Sequence, residues 1–521
     1  MTVNDKAQNK QTRRRGRNRR LVAFPSLTRW RLRFVSGLLA LAAAASAQTG
    51  TPANEIASGP LFAEFPLTLQ LGRRTEALGP FYYRQSADSQ RLWALPPFIS
   101  RFDDDELDRH EMDLLYPVLT CDRFGAEHRW QLLQWLSFAG GDTQDGERRK
   151  RFTLFPFYWQ QRSTEPTNNY TALWPLAGTL KNRLLRDEIS FTLWPVYVRT
   201  FKARGNLETV NFLAPVFHRR TGDGLRGWQA WPLIGSETKV PTWRTNSWDE
   251  AELVPGHSRN FLAWPFWLSE TRGVGTTNQA HFRAMLPLFV WLRSPARDST
   301  TWLWPCGLTL TESRFPPYEE TQFLWPVFAW ARGEGKHTTR FWPLAGESRT
   351  PTREKNFFLW PVFRESATRT ETLERERTEL LFFLYSDLRE ERKTTGQSRR
   401  RVSLWPLFTH ARDWSGNERL QLLAPLEPLI PDNKGIQRNW SPLWSLWRSE
   451  HNPAAGTRSQ SLLWNLYRRD ARPDRRKTSA LFGLFQHERT PEGSGLRVLF
   501  IPLKSAPRAS AVAPEPTMPQ P

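Results

Sequence analysis

The sequence predicts an all-β fold: a repetitive antiparallel β-meander of about 20 Trp-Pro-centred units, with a period of about 21 residues, forming one extended stacked, propeller-like or barrel-like array. Three observations carry this. The first is repetition. Leu-Trp-Pro begins at Leu173, Leu193, Leu303, Leu324, Leu359 and Leu404, and Trp-Pro recurs at Trp231, Trp264 and Trp342. Degenerate copies keep the proline at Phe155-Pro156, Ala214-Pro215, Leu286-Pro287 and Ala424-Pro425. Self-similarity at a fixed short period marks a repeat architecture. The second observation is composition: aromatic residues make up 13% of the chain, with 26 Trp, 33 Phe and 9 Tyr. Short runs of Phe, Leu, Trp, Val and Tyr bounded by Gly, Asn, Asp, Thr and Arg read as strands. The third is the proline itself, which costs a helix interior about 3 kcal/mol and recurs too often for long helices to fit between copies.

The array is expected over 60–503. Phe65-Pro66, Leu95-Pro96 and Tyr116-Pro117 extend it upstream. Pro442–Trp444, Leu463–Tyr467, Leu481–Phe485 and Val498–Pro502 extend it downstream. A copy without proline, Leu380–Tyr385, fills the longest gap, and an insertion around Thr242–His257 explains another. Thr221–Gly224 and Gly333–Lys336 read as hairpin turns. Because proline has no N–H, a copy at the same point of every unit predicts a repeated bulge or corner. Read as one strand, Phe323–Trp330 has large apolar residues on both faces. That predicts strand centres covered on both sides, charge held in the turns, and Trp194, Trp325 and Trp360 in a core.

Ahead of the array, residues 13–33 are basic. Val35–Ala47 then forms an apolar stretch ending in Ala45-Ser46-Ala47, and Gln48 follows. This order reads as a signal peptide over 1–47, cleaved between Ala47 and Gln48, with a short linker at 48–59 and export to the periplasm, outer membrane or extracellular space. A Pro/Ala-rich tail at 504–521 closes the chain and is expected to be disordered. The formal net charge is +21, and without residues 1–47 it is 62 basic against 51 acidic residues, or +11. The basic residues are scattered, where nucleic acid would need a patch, so no specific nucleic-acid partner is expected. Cell-envelope polysaccharide or an anionic membrane surface fits better.

The sequence offers little chemistry. The nine His lie singly, at 110, 128, 218, 257, 281, 337, 410, 451 and 487, without metal spacing. Cys121 and Cys306 sit beside apolar segments, as buried free thiols or as a pair in an oxidising compartment. The acidic run Asp103–Asp113 lacks the alternation and turn glycine of a calcium loop and reads as solvated. No catalytic, cofactor-binding or metal-ligating residue is singled out, and no cofactor is expected. The sequence reading is an exported bacterial cell-envelope repeat protein, non-catalytic, with a structural, adhesion or binding-scaffold role. Its alternatives are an integral outer-membrane β-barrel channel and a carbohydrate-binding or carbohydrate-active protein.

Overall fold

The computed structural model describes residues 57–58, 62–142, 146–246 and 248–503. The signal peptide at 1–47, the tail at 504–521 and most of the linker at 48–59 lie outside the described residues. The chain divides into two units, residues 1–54 and 55–521, and every described residue belongs to the second.

That unit is nearly all β. Among the described residues, 44 short strands form one antiparallel sheet in which each strand pairs with its neighbours in sequence. The ladder runs from Ala57–Ser58, inside the expected linker, to Ile501–Leu503, and it does not close on itself. Sequential pairing at this scale is a meander, as expected; a closed barrel is not formed. The expected insertion is a separate two-stranded hairpin, Thr242–Thr245 with Ala251–Val254.

Each 21-residue unit is two strands. Pro317–Phe323 runs into Leu324-Trp325-Pro326-Val327 and returns as Phe328–Arg332, with Phe323 directly opposite Phe328. Val327 N–H donates to the Leu324 carbonyl at 2.8 Å. The Trp325-Pro326 bond is cis, so proline takes the third position of a type VI turn. The same bond recurs at Trp174, Trp194, Trp231, Trp264, Trp304, Trp342, Trp360 and Trp405. Trp-Pro therefore marks a hairpin turn, not a corner in mid-strand, and Phe323–Trp330 is two strand ends with a turn between. The expected doubly apolar strand centre does not exist. The copy without proline behaves alike: Leu381–Leu384 joins Leu373–Leu380 to Tyr385–Arg392.

The alternate turns, at the other ends of the strands, use different chemistry. Asp223-Gly224 joins Phe217–Gly222 to Leu225–Ala230, and Gly333–Lys336 joins Phe328–Arg332 to His337–Phe341, both as expected. Since every second turn is of the Trp-Pro kind, antiparallel pairing places all of these on one edge of the sheet and the Gly, Asp and Glu turns on the other.

The two ends of the array meet through side chains. The short helix Lys434–Asn439, capped by the Asn433 side chain on Ile436 N–H at 3.0 Å, packs on the strands of 90–114. Arg438 bridges Glu111 at 2.5 Å and Asp113 at 3.0 Å, and the three side chains are 12%, 9% and 4% exposed. Tyr83 Oη donates to the Arg438 carbonyl at 2.8 Å, and Trp440 Nε1–H donates to the Tyr116 carbonyl at 2.9 Å. Gly435 lies against the Tyr116 ring so closely that a Cβ would enter it. Beyond the helix, Thr68 meets Ser459, Asn465 donates to Glu76, and the Arg468 guanidinium lies 3.3 Å from the Phe65 ring centroid. We call this contact the clasp.

Glu76 and Glu450 are deeply buried in the clasp. Burial alone would raise their pKa, but the guanidinium groups of Arg74, Arg448 and Arg468 outweigh it and hold both carboxyls below the usual range. The folded values are lower than the unfolded one of about 4.3, so this stabilisation is complete above that pH. It fades as pH falls through the folded values. Melting temperature measured against pH is expected to hold down to about pH 4 and drop below it. A Glu76→Gln variant is expected to start lower at neutral pH and to show a shallower acid loss.

Candidate functional site

The candidate site is the Trp-Pro edge together with the strand row beside it. Direct pairing puts Phe323, Phe328, Phe341, Ala345, Phe358 and Phe363 in one line across six successive strands, on one face of the sheet. Further toward the N-terminus the same line holds Leu262, Trp267, Met285, Phe289 and Trp302. Most are exposed, Phe323 by 49%, Phe341 by 46%, Phe358 by 57% and Leu262 by 55%, while Phe289, Phe328 and Phe363 are half-buried. One residue further in, the opposite face of the same strands presents Gln322, Ala329, Arg340 and Gly346. The strands are two-faced.

Two residues from the apolar line and on its face, Trp330, Trp291, Trp228 and Trp130 lie among Arg283, Arg219, Thr321 and Thr339. Arg283 sits directly opposite Trp291, its guanidinium 5.2 Å from the ring centroid. Further still from the edge, strands carry ion pairs such as Lys336–Glu320 at 2.7 Å and Arg220–Glu237 at 2.6 Å. Polarity therefore rises along the strand axis, from the Trp-Pro edge to the opposite one. Isolated exposed apolar residues occur on that opposite edge, among them Leu71, Leu184, Leu185 and Phe315, but they form no line.

At the edge itself, turns touch turns. Trp174 packs on Trp194 with centroids 5.6 Å apart, Trp342 on Trp360 at 5.9 Å, and Phe383 on Trp405 at 5.5 Å. Backbone hydrogen bonds also run from turn to turn. Trp342 N–H donates to Val327 O at 2.7 Å, Trp360 N–H to Pro343 O at 2.7 Å, and Leu381 N–H to Val362 O at 2.7 Å. The three tryptophans expected in a core are here instead, with Trp194 46%, Trp325 55% and Trp360 40% exposed. Their equivalent placement in neighbouring units holds; their shielding does not. A hairpin tip has neighbours only along the edge and nothing beyond it.

The remaining sequence candidates are engaged elsewhere. Asp103 holds Arg101 at 2.9 Å and His110 at 2.7 Å, Asp104 accepts from Ser89 at 3.0 Å and Gln90 at 2.9 Å, and Glu111 and Asp113 belong to the clasp. His257 pairs with Glu237 at 2.8 Å. Among the described residues, no group of three or more His, Cys, Asp or Glu is placed to hold a metal ion. Both cysteines are free. Cys121 is half-buried and Cys306 is exposed in the Leu303–Leu308 turn, so neither is the fully buried thiol expected. Burial, with Asp122 and Asp113 nearby, pushes the Cys121 thiol up to about 11, which keeps it protonated at neutral pH. In the clasp, a cavity of about 30 Å³ bordered by Arg74, Glu76, Tyr83 and Arg448 has room for a water or two. No protein-family model matches this chain, and no curated protein matches it.

Proposed function

We propose that this protein is an exported, non-catalytic scaffold of a bacterial cell envelope, whose working surface is the Trp-Pro edge. One observation carries the reading: a line of large apolar side chains, exposed or half-buried and broken at Ala345, follows a single edge of the ladder. Soluble monomers rarely leave a contiguous apolar patch of more than a few hundred Å² uncovered, and larger ones mark interaction surfaces. The extended ladder suits a role in presenting one contact many times. The order of basic, apolar and Ala-x-Ala segments in residues 13–47 supports export.

The spanning-barrel alternative fits less well. Each strand offers one line of large apolar residues and a mixed Trp/Arg line, a height of about 10–15 Å, whereas a membrane-spanning band needs about 25 Å. Fractionation of the producing cell with N-terminal sequencing tests the reading. The protein is expected in the envelope fraction with Gln48 as its first residue. A cytoplasmic chain that keeps residues 1–30 would overturn it.

A further inference from the structure

We propose that the Trp-Pro edge and the apolar line beside it insert into one leaflet of a phospholipid bilayer, so that the array stands on the membrane without crossing it. The proposed envelope location supplies the bilayer; three features of the edge and the charge of the chain point to insertion.

The first is the leucine that opens four of the Leu-Trp-Pro turns. Leu193, Leu303, Leu324 and Leu359 have φ values of 47°, 54°, 50° and 47°, in the left-handed region. That conformation costs a non-glycine residue about 1–2 kcal/mol, which glycine would avoid. These side chains are 57%, 64%, 43% and 44% exposed. Leu184 and Leu185 on the opposite edge share this conformation, with φ values of 53° and 60°, and are still more exposed, so what sets the Trp-Pro edge apart is that an exposed leucine recurs there at the same point of successive turns.

The second is the backbone. Hydrocarbon accepts a polypeptide only where N–H and C=O groups are paired internally. Turn-to-turn hydrogen bonds do part of this along the edge, and the proline of each Trp-Pro turn brings no N–H to satisfy.

The third is depth. The Trp and Arg line stands two residues, about 7 Å, from the apolar line. Tryptophan and arginine concentrate at the headgroup level of membrane proteins, arginine by extending its stem through the apolar zone. The apolar zone of about 10–15 Å matches half of a hydrocarbon core of about 30 Å. The fourth is charge: outside residues 1–47 the chain carries a net +11, which favours a leaflet with anionic headgroups.

Flotation with vesicles of phosphatidylethanolamine and phosphatidylglycerol tests this, using the full chain so that residues 1–47 contribute equally to every variant. The parent is expected to float and to remain bound in high salt. Phe341→Asp combined with Phe358→Asp is expected to weaken binding by about tenfold or more. Leu184→Asp combined with Leu185→Asp adds the same charge to exposed apolar residues on the opposite edge and is expected to change nothing. Should the Phe variants fail to fold, a Trp30→Phe chain decides: its remaining Trp fluorescence is expected to be quenched by lipids brominated in the acyl chains. Binding that high salt abolishes and the Phe changes leave intact would overturn the proposal, as would absent quenching. So would vesicle-free dimers that the Phe changes dissolve, which would make a second copy the occupant, or edge-dependent retention on envelope polysaccharide without vesicle binding. None of these outcomes depends on cell fractionation, so failure here leaves the export result standing, and the reverse.

Discussion

Replacing Arg438 with Ala is expected to destabilise the protein by about 3–5 kcal/mol, the largest effect expected of a single substitution. Arg438 is almost fully enclosed between Glu111 and Asp113, which are themselves nearly buried. Removing the guanidinium leaves Asp113 without a cation and Glu111 with Arg109 alone, in a place water does not easily reach. Asp113 would keep Asn439 Nδ2 at 3.0 Å and Ser100 Oγ at 3.1 Å as neutral donors, too little for an ionised group. Chemical denaturation is the measurement. An early transition that reports the clasp, followed by loss of the strand signal, is expected, because a repeat ladder holds each unit mainly by its neighbours. An unchanged midpoint would show that the helix Lys434–Asn439 does not join the two ends of the array.

The second large effect separates the faces of one strand. Ala331 is 1% exposed and lies between Glu320 and Thr338, each 5% exposed. Trp330, the adjacent residue, is 46% exposed on the other face. Ala331→Leu is expected to cost about 1–3 kcal/mol by overfilling a crowded face. Trp330→Ala, which removes far more mass, is expected to cost at most about 1 kcal/mol, since little beyond its stacking on Phe328 at 5.8 Å is lost. Comparing the two unfolding midpoints checks the assignment of faces. A core of tryptophans would reverse the order.

Ala331 and Trp330 also show how far local sequence reaches. The period, the β class and the polar turns follow from local chemistry, because proline, glycine and aromatic runs act on their own segment of chain. Placing the proline needs one more step. A period of about 21 residues is too long for one strand of five or six residues with a short turn, and it suits two strands with two turns. Trp-Pro then becomes a hairpin tip, and Phe323 and Phe328 stop being residues of one strand. With the tip moved to the edge, the exposed line follows from strand alternation. The clasp is beyond such reasoning. Thr68 and Ser459 are 391 residues apart, and no spacing rule links Arg438 to Glu111. Only the path of the whole ladder brings these residues together.

Labelling both ends of one strand pair tests most directly whether the array meets a bilayer by one edge. With Cys121→Ser and Cys306→Ser as background, a polarity-sensitive thiol dye is attached at Phe323→Cys, in the apolar line, or at Glu334→Cys, in the turn at the opposite end of Phe328–Arg332. On addition of phospholipid vesicles, emission from the label at 323 is predicted to shift to the blue and to be quenched by acyl-chain bromine, while the label at 334 stays in water. A label at 323 that does not respond to vesicles, or equal shifts at both positions, would contradict insertion by the Trp-Pro edge.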